Sequence, residues 1–135
     1  MTDINAPTNP KAMTIAGWVL TGLFALFIAG ASVVPKFFMP EIANATMDEL
    51  GWPGGYVTMI GVMEAGLLIL YLIPRTSLLG AVLFTGLLGG AMATQVRAEM
   101  PLWSHILFSL YLGAFLWGGL WLRSPWLRAV FPIRR

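Results

Sequence analysis

Four long apolar stretches, almost free of charge, restrict this chain to a helical fold embedded in a membrane. Crossing the hydrocarbon core takes about 20 mostly apolar residues, and each stretch is long enough. Met13 to Val34 carries no charge, and Gly54 to Ile73 has Glu64 as its one charge. Ser77 to Val96 has none, and Trp103 to Leu122 carries His105. These stretches are apolar on nearly every side, whereas barrel strands would alternate apolar and polar residues. Within lipid, a helix satisfies its backbone polar groups inside one segment. The fold class expected is therefore an all-α integral membrane protein. It is an antiparallel bundle of four transmembrane helices, at about 13–34, 54–73, 77–96 and 103–122, forming one membrane domain over residues 1–135.

Composition agrees. Of the 135 residues, 58% are hydrophobic and 10% charged, against about 25% charge in an ordinary soluble domain. There is no cysteine, which excludes disulfides, thiol catalysis and thiolate metal sites.

The connections carry the punctuation. Pro74-Arg75-Thr76 reads as a tight turn, and Arg97 to Leu102 as another, with Pro101 before the fourth helix. Between the first two spans, Pro40 to Leu50 reads as a short surface helix or a solvated loop. Pro40 suits a first helical turn, Glu41 favours a helix N-terminus, and Ala43, Met47 and Leu50 fall on one face. The polar segment Met1 to Lys11 reads as a loose tail. Ala29-Gly30-Ala31 resembles a signal-peptide cleavage site, but the apolar run is long and continues past it, so an uncleaved first helix is expected.

Basic residues orient such a bundle. Lys11, Arg75, Arg123, Arg128, Arg134 and Arg135 fall on one side of a four-span arrangement, and Lys36 and Arg97 on the other. Both termini are therefore expected in the cytoplasm. The basic tail, with Trp121, Trp126 and Phe131, reads as an anchor to anionic lipid. No clustered basic face with base-contacting groups is present, so nucleic acid is not an expected partner.

Helices approach one another in lipid through small residues. Gly61 and Ala65, Gly86 and Gly90, Ala25 and Ala29, and Ala114 and Gly118 each sit four apart. Packing within one chain is the expected use of these pairs, with a homo-oligomer as the alternative.

Glu64 is the most informative residue. It falls near the bilayer midplane, and an intramembrane carboxylate is a functional hypothesis by default; the alternative is a hydrogen-bonded acid that ties helices together. Gly61, Leu68 and Tyr71 share its face, with Tyr56 on the flank. Ser32 and Lys36 follow one face of the first helix, Gln95 and Arg97 lie late on the third, and His105 and Ser109 are four apart on the fourth. These groups favour the outer half of the bilayer, so a polar pocket open to the non-cytoplasmic side is expected, under the Pro35–Pro53 segment. Lys36, Tyr56, Gly61, Gln95, Arg97, His105 and Ser109 are the expected ligand-binding residues, with Glu64 as the one catalytic candidate. Each has a bland reading: Lys36 snorkelling to head groups, Arg97 pairing with Glu99, and His105 solvated at the interface. One histidine with scattered acids is a poor metal set, so no metal site is expected. No Walker loop, GxSxG, HExxH or dinucleotide fingerprint occurs.

Several motifs, in order, resemble the DoxX-like family of small four-helix membrane proteins. They are Gly30-Ala31-Ser32 through Pro35-Lys36-Phe37, Leu50-Gly51-Trp52-Pro53, Gly61-Val62-Met63-Glu64-Ala65-Gly66-Leu67-Leu68, Ile73-Pro74-Arg75-Thr76 and Leu79-Gly80-Ala81. The resemblance runs from about residue 15 to 122. It implies a bacterial inner-membrane bundle in which Lys36 and Glu64 match positions that tend to be polar. It further implies an association with quinone-linked sulfur oxidation, oxidative-stress complexes or assembly of other membrane proteins; the missing cysteine argues against any thiol-based role.

Three functions follow as expectations. The first is an accessory subunit of a redox or stress-related system, binding a small hydrophobic molecule such as a quinone or lipid, with no intrinsic cofactor and with any redox centre supplied by a membrane-protein partner. The second is a scaffold or assembly factor. The third is an intramembrane enzyme using Glu64 for proton transfer.

Overall fold

The computed structural model describes residues 9–134; Met1–Thr8 of the expected loose tail, and Arg135, lie outside the described residues. The described residues form helices and connections, with no strand. We number the helices α1 (Lys11–Phe38), α2 (Pro40–Glu49), α3 (Val57–Leu72), α4 (Ser77–Arg97), α5 (Leu102–Arg123) and α6 (Pro125–Val130). Three of them, α1, α4 and α5, are long and apolar enough to cross a membrane. The second expected span is shorter than its apolar run: α3 has 16 residues, or about 24 Å at the α-helical rise. Gly54 and Gly55 lie in a turn outside it, and Gly51 and Gly55 take positive φ angles of 81° and 93° in that connection.

Helix α1 continues past its expected end at Val34 to Phe38. Its segment Ile28–Val33 is a π-helical turn, placed just before Pro35. Proline offers no N–H and its ring crowds the preceding turn, and the wider π turn absorbs that crowding without ending the helix. The short helix α2 forms as expected, with Pro40 in its first turn; Ala43, Met47 and Leu50 are its partly covered face, and no residue of it is fully buried.

The α3–α4 turn satisfies carbonyls that the end of α3 would leave unpaired. Thr76 Oγ1 donates to the Leu70 carbonyl at 2.7 Å, and Ser77 Oγ to the Tyr71 carbonyl at 2.6 Å. A similar closure acts at the end of α5. Arg128 donates to the Trp121 and Leu122 carbonyls at 2.8 and 3.0 Å and to Asn9 Oδ1 at 2.6 Å. Asn9 Nδ2 in turn donates to the Leu122 carbonyl at 3.0 Å. The chain just before α1 is thus pinned at Asn9, where the sequence suggests only a loose tail.

The core joins α1, α3, α4 and α5. Phe24 meets Tyr71 and Phe84 edge-to-face at 5.6 and 5.1 Å, and Leu116, Ala81 and Phe84 are fully enclosed. The backbones approach most closely at glycines. A Cβ on Gly17 would sit 2.7 Å from the Gly119 carbonyl oxygen, and one on Gly119 would sit 2.6 Å from Thr21 Oγ1. One on Gly80 would collide with the backbone of Tyr71. The expected small-residue pairs fare unevenly. Gly61 and Gly118 are packed, but Gly86 and Gly90 have nothing within 4 Å, so intramolecular packing does not account for that pair. It lies on a face of α4 that no other described helix covers.

Candidate functional site

Lys36 and Glu64 come together inside the bundle. Lys36 Nζ is 2.9 Å from Glu64 Oε2, and the side chains are only 15% and 7% exposed. The same ammonium donates to the Ser32 carbonyl at 3.1 Å and to Ser32 Oγ at 2.7 Å. An ammonium has three donors, and these contacts occupy all of them. Lys36 therefore turns back into the helices rather than snorkelling to head groups. The π-helical turn ends just before the Val34–Phe38 segment that carries Lys36. Gly61, one turn before Glu64, gives Lys36 room to approach: a Cβ there would stand 3.2 Å from Lys36 Cβ and from the Phe37 ring. Among the described residues this is the one ion pair. Glu64 Oε1 takes no hydrogen bond from any described residue, leaving an acceptor beside the pair.

The remaining expected residues do not join this centre. Tyr56 lies outside it, 41% exposed and 6.2 Å from Trp52. Arg97 is exposed and makes no ion pair with Glu99. His105 is exposed and shares a 2.8 Å hydrogen bond with Ser104 Oγ, as its solvated reading anticipates. Ser109 is buried on α5 without a bond to Glu64. Gln95 has its amide oxygen enclosed and without a hydrogen-bond partner. Such a group is uncommon in folded proteins, yet no hydrogen bond links it to Lys36 or Glu64. Among the described residues no group of three or more His, Cys, Asp or Glu side chains could hold a metal ion.

A second polar centre lies at the opposite end, where the start of α1, the α3–α4 turn and the end of α5 meet. Tyr71 is fully buried and its hydroxyl donates to the Leu116 carbonyl, with Thr21 Oγ1 at 3.3 Å. Arg123 reaches Thr21 Oγ1 at 3.2 Å, and Ser77 Oγ and the Tyr71 carbonyl at 3.4 Å each. Its guanidinium lies 4.2 Å from the Trp18 ring centroid. Beside it is a cavity of about 490 Å³ that Trp18, Ser77, Arg123 and Trp126 help to line. The sequence places polar groups mainly at the other end, and its reading does not anticipate a concavity here. The signals that could have revealed it are Thr21 and Tyr71, which sit on inward faces of their helices, and Arg123 closing an apolar run.

The order of motifs around this geometry agrees with a family model. The DoxX-like family model matches residues 19–119. The chain belongs to the DoxX-like family. That match covers α1 from Val19 through most of α5 and includes both Lys36 and Glu64. No curated protein and no solved structure matches the chain. Two charges held out of water in a chain with membrane-crossing helices cost several kcal/mol per ion unless well paired. The Lys36–Glu64 geometry supplies that pairing and keeps one carboxylate oxygen spare.

Proposed function

We propose that this DoxX-like protein is a four-span, antiparallel bundle of the bacterial inner membrane that binds a small hydrophobic molecule at the Lys36–Glu64 pair. A quinone or a lipid fits this reading. The apolar helices face the tail, and Glu64 Oε1 accepts a hydrogen bond from a hydroxyl of a lipid head or of the quinone's reduced, quinol form. The observation that carries the proposal is the buried pair itself, whose burial cost calls for a use. The protein acts as an accessory subunit, and electron transfer, where it occurs, belongs to a partner.

A scaffold or assembly role is the second reading, favoured by the saturation of the Lys36 ammonium, which a purely structural lock would also show. One experiment separates the two. Wild type and Lys36→Met/Glu64→Leu are purified gently, and their extracts are analysed by mass spectrometry. The binding reading expects a quinone or lipid retained by the wild type and lost from the double variant while the variant stays folded. Equal retention by both proteins would overturn the assignment of the pair as the binding point.

A further inference from the structure

We propose that the cavity at the basic end is a headgroup site for an anionic membrane phospholipid, with the Arg123 guanidinium on the phosphate and the acyl chains against Trp126 and Val130. This site is separate from the Lys36–Glu64 pair and does not depend on it.

Arg123 is half-buried, yet no carboxylate pairs with it among the described residues. All the described acids lie elsewhere: Glu41, Asp48 and Glu49 on α2, Glu99 after α4, and Glu64 in its pair with Lys36. The basic end instead carries Lys11, Arg75 and Arg128. A cation drawn out of water and left without a counter-ion is costly, and an anion entering the cavity removes that cost.

The three hydrogen bonds from Arg123 go to neutral oxygens at 3.2–3.4 Å, longer than typical charge-assisted bonds. A guanidinium has more N–H donors than these bonds use, arranged in a fork that suits phosphate. Ser124 Oγ accepts from the Leu127 amide at 3.3 Å and has no acceptor for its own proton among the described residues. It therefore adds a second donor at the cavity wall.

The walls identify the source of the phosphate. The cavity is about 490 Å³ and also borders Leu78, Leu120 and Val130, and Trp126 and Val130 are 63% and 59% exposed. A soluble phosphate gains nothing from these apolar groups, whereas acyl chains do. Exposed tryptophans beside basic residues mark the interfacial level of a bilayer, where lipid phosphates lie.

The test is native mass spectrometry of the full chain released from bilayers containing equal phosphatidylglycerol and phosphatidylcholine with identical acyl chains. Both lipids offer a phosphate, but the choline cation of phosphatidylcholine is repelled by Arg123 and the basic residues around it, so the wild type should retain phosphatidylglycerol in preference by about tenfold. Arg123→Gln should abolish that preference. Because Arg123 also ties helices together, Val130→Trp provides a second arm: it fills the cavity from its rim, leaves Arg123 in place, and should reduce retention as strongly. No preference in the wild type, or an undiminished preference in folded Arg123→Gln or Val130→Trp, would overturn the proposal. Displacement of the lipid by millimolar inorganic phosphate would overturn the assignment to a lipid.

Discussion

Lys36 Nζ and Glu64 Oε2 are 2.9 Å apart although 28 residues separate them in sequence. The pair joins the end of α1 to the middle of α3 and is the one ionic tie between helices among the described residues. Its geometry lets a structural contribution be separated from a binding one.

Removing one partner leaves the other buried and uncompensated. Glu64→Leu alone or Lys36→Met alone should cost about 3–5 kcal/mol, whereas the double substitution should be near neutral or stabilising. Unfolding of the three variants in one detergent, followed by helicity, checks this. Similar losses in the single and double variants would show that the ionic contact itself contributes most of the stability.

The glycines divide by what a side chain would meet. Gly80→Ala would drive a methyl group into the Tyr71 backbone and should destabilise strongly, as overpacking between helices does. Gly86→Ala meets open space and should be neutral or stabilising by up to about 1 kcal/mol through helix propensity. Thermal unfolding of both variants as monomers checks the contrast.

How far these features were legible in the sequence differs from residue to residue. Helix positions were readable because the apolar runs are long, and α2 because Pro40 and Glu41 mark its start. Glu64 stood out because an acid amid apolar residues is rare. Its partner was harder to read: Lys36 lies at the end of an apolar run, where snorkelling is an equal reading, and the π turn that aims it inward has no sequence signature beyond Pro35. Gly17 and Gly119 form a close crossing; Gly17 and Thr21 lie four apart in line with Ala25, but the spacing alone does not say which helix they meet. The Gly86–Gly90 spacing did suggest contact but faces away from the other described helices. The Arg123 cavity depends on four separate segments meeting, which no local pattern shows.

Tyr71 gives a smaller test. Its hydroxyl donates to the Leu116 carbonyl, a group already within α5, and lies near Thr21. Tyr71→Phe keeps the ring contacts with Phe24 and should cost about 0.5–1.5 kcal/mol, the range for one hydrogen bond. Thr21→Val should cost more, because it leaves Arg123 Nε without its acceptor in a half-buried setting. Unfolding in detergent ranks the two; a larger loss for Tyr71→Phe would mean that the hydroxyl carries more of the α1–α3–α5 contact than this geometry assigns.

The contacts at the basic end bear on the four-span proposal. Asn9, just before α1, bonds the Leu122 carbonyl near the end of α5 and accepts from Arg128 beyond it. The segments just before α1 and just beyond α5 therefore lie beside each other, and two segments held by hydrogen bonds 2.6–3.0 Å long cannot lie on opposite faces of a bilayer. On the four-span proposal α3 also crosses, despite its 16 residues, since three crossings would separate these segments. A span shorter than the hydrocarbon core is accommodated by local thinning. The surplus of Lys and Arg at this end, Lys11, Arg75, Arg123, Arg128 and Arg134 against Lys36 and Arg97, leads us to expect it in the cytoplasm. Reporter fusions to each terminus, read by a periplasm-active and a cytoplasm-active enzyme, should both report cytoplasm. A cysteine placed at Thr58, exposed near the start of α3, should react with an impermeant maleimide added from outside. Termini reporting opposite sides would reduce the crossings to three and place α3 at the surface.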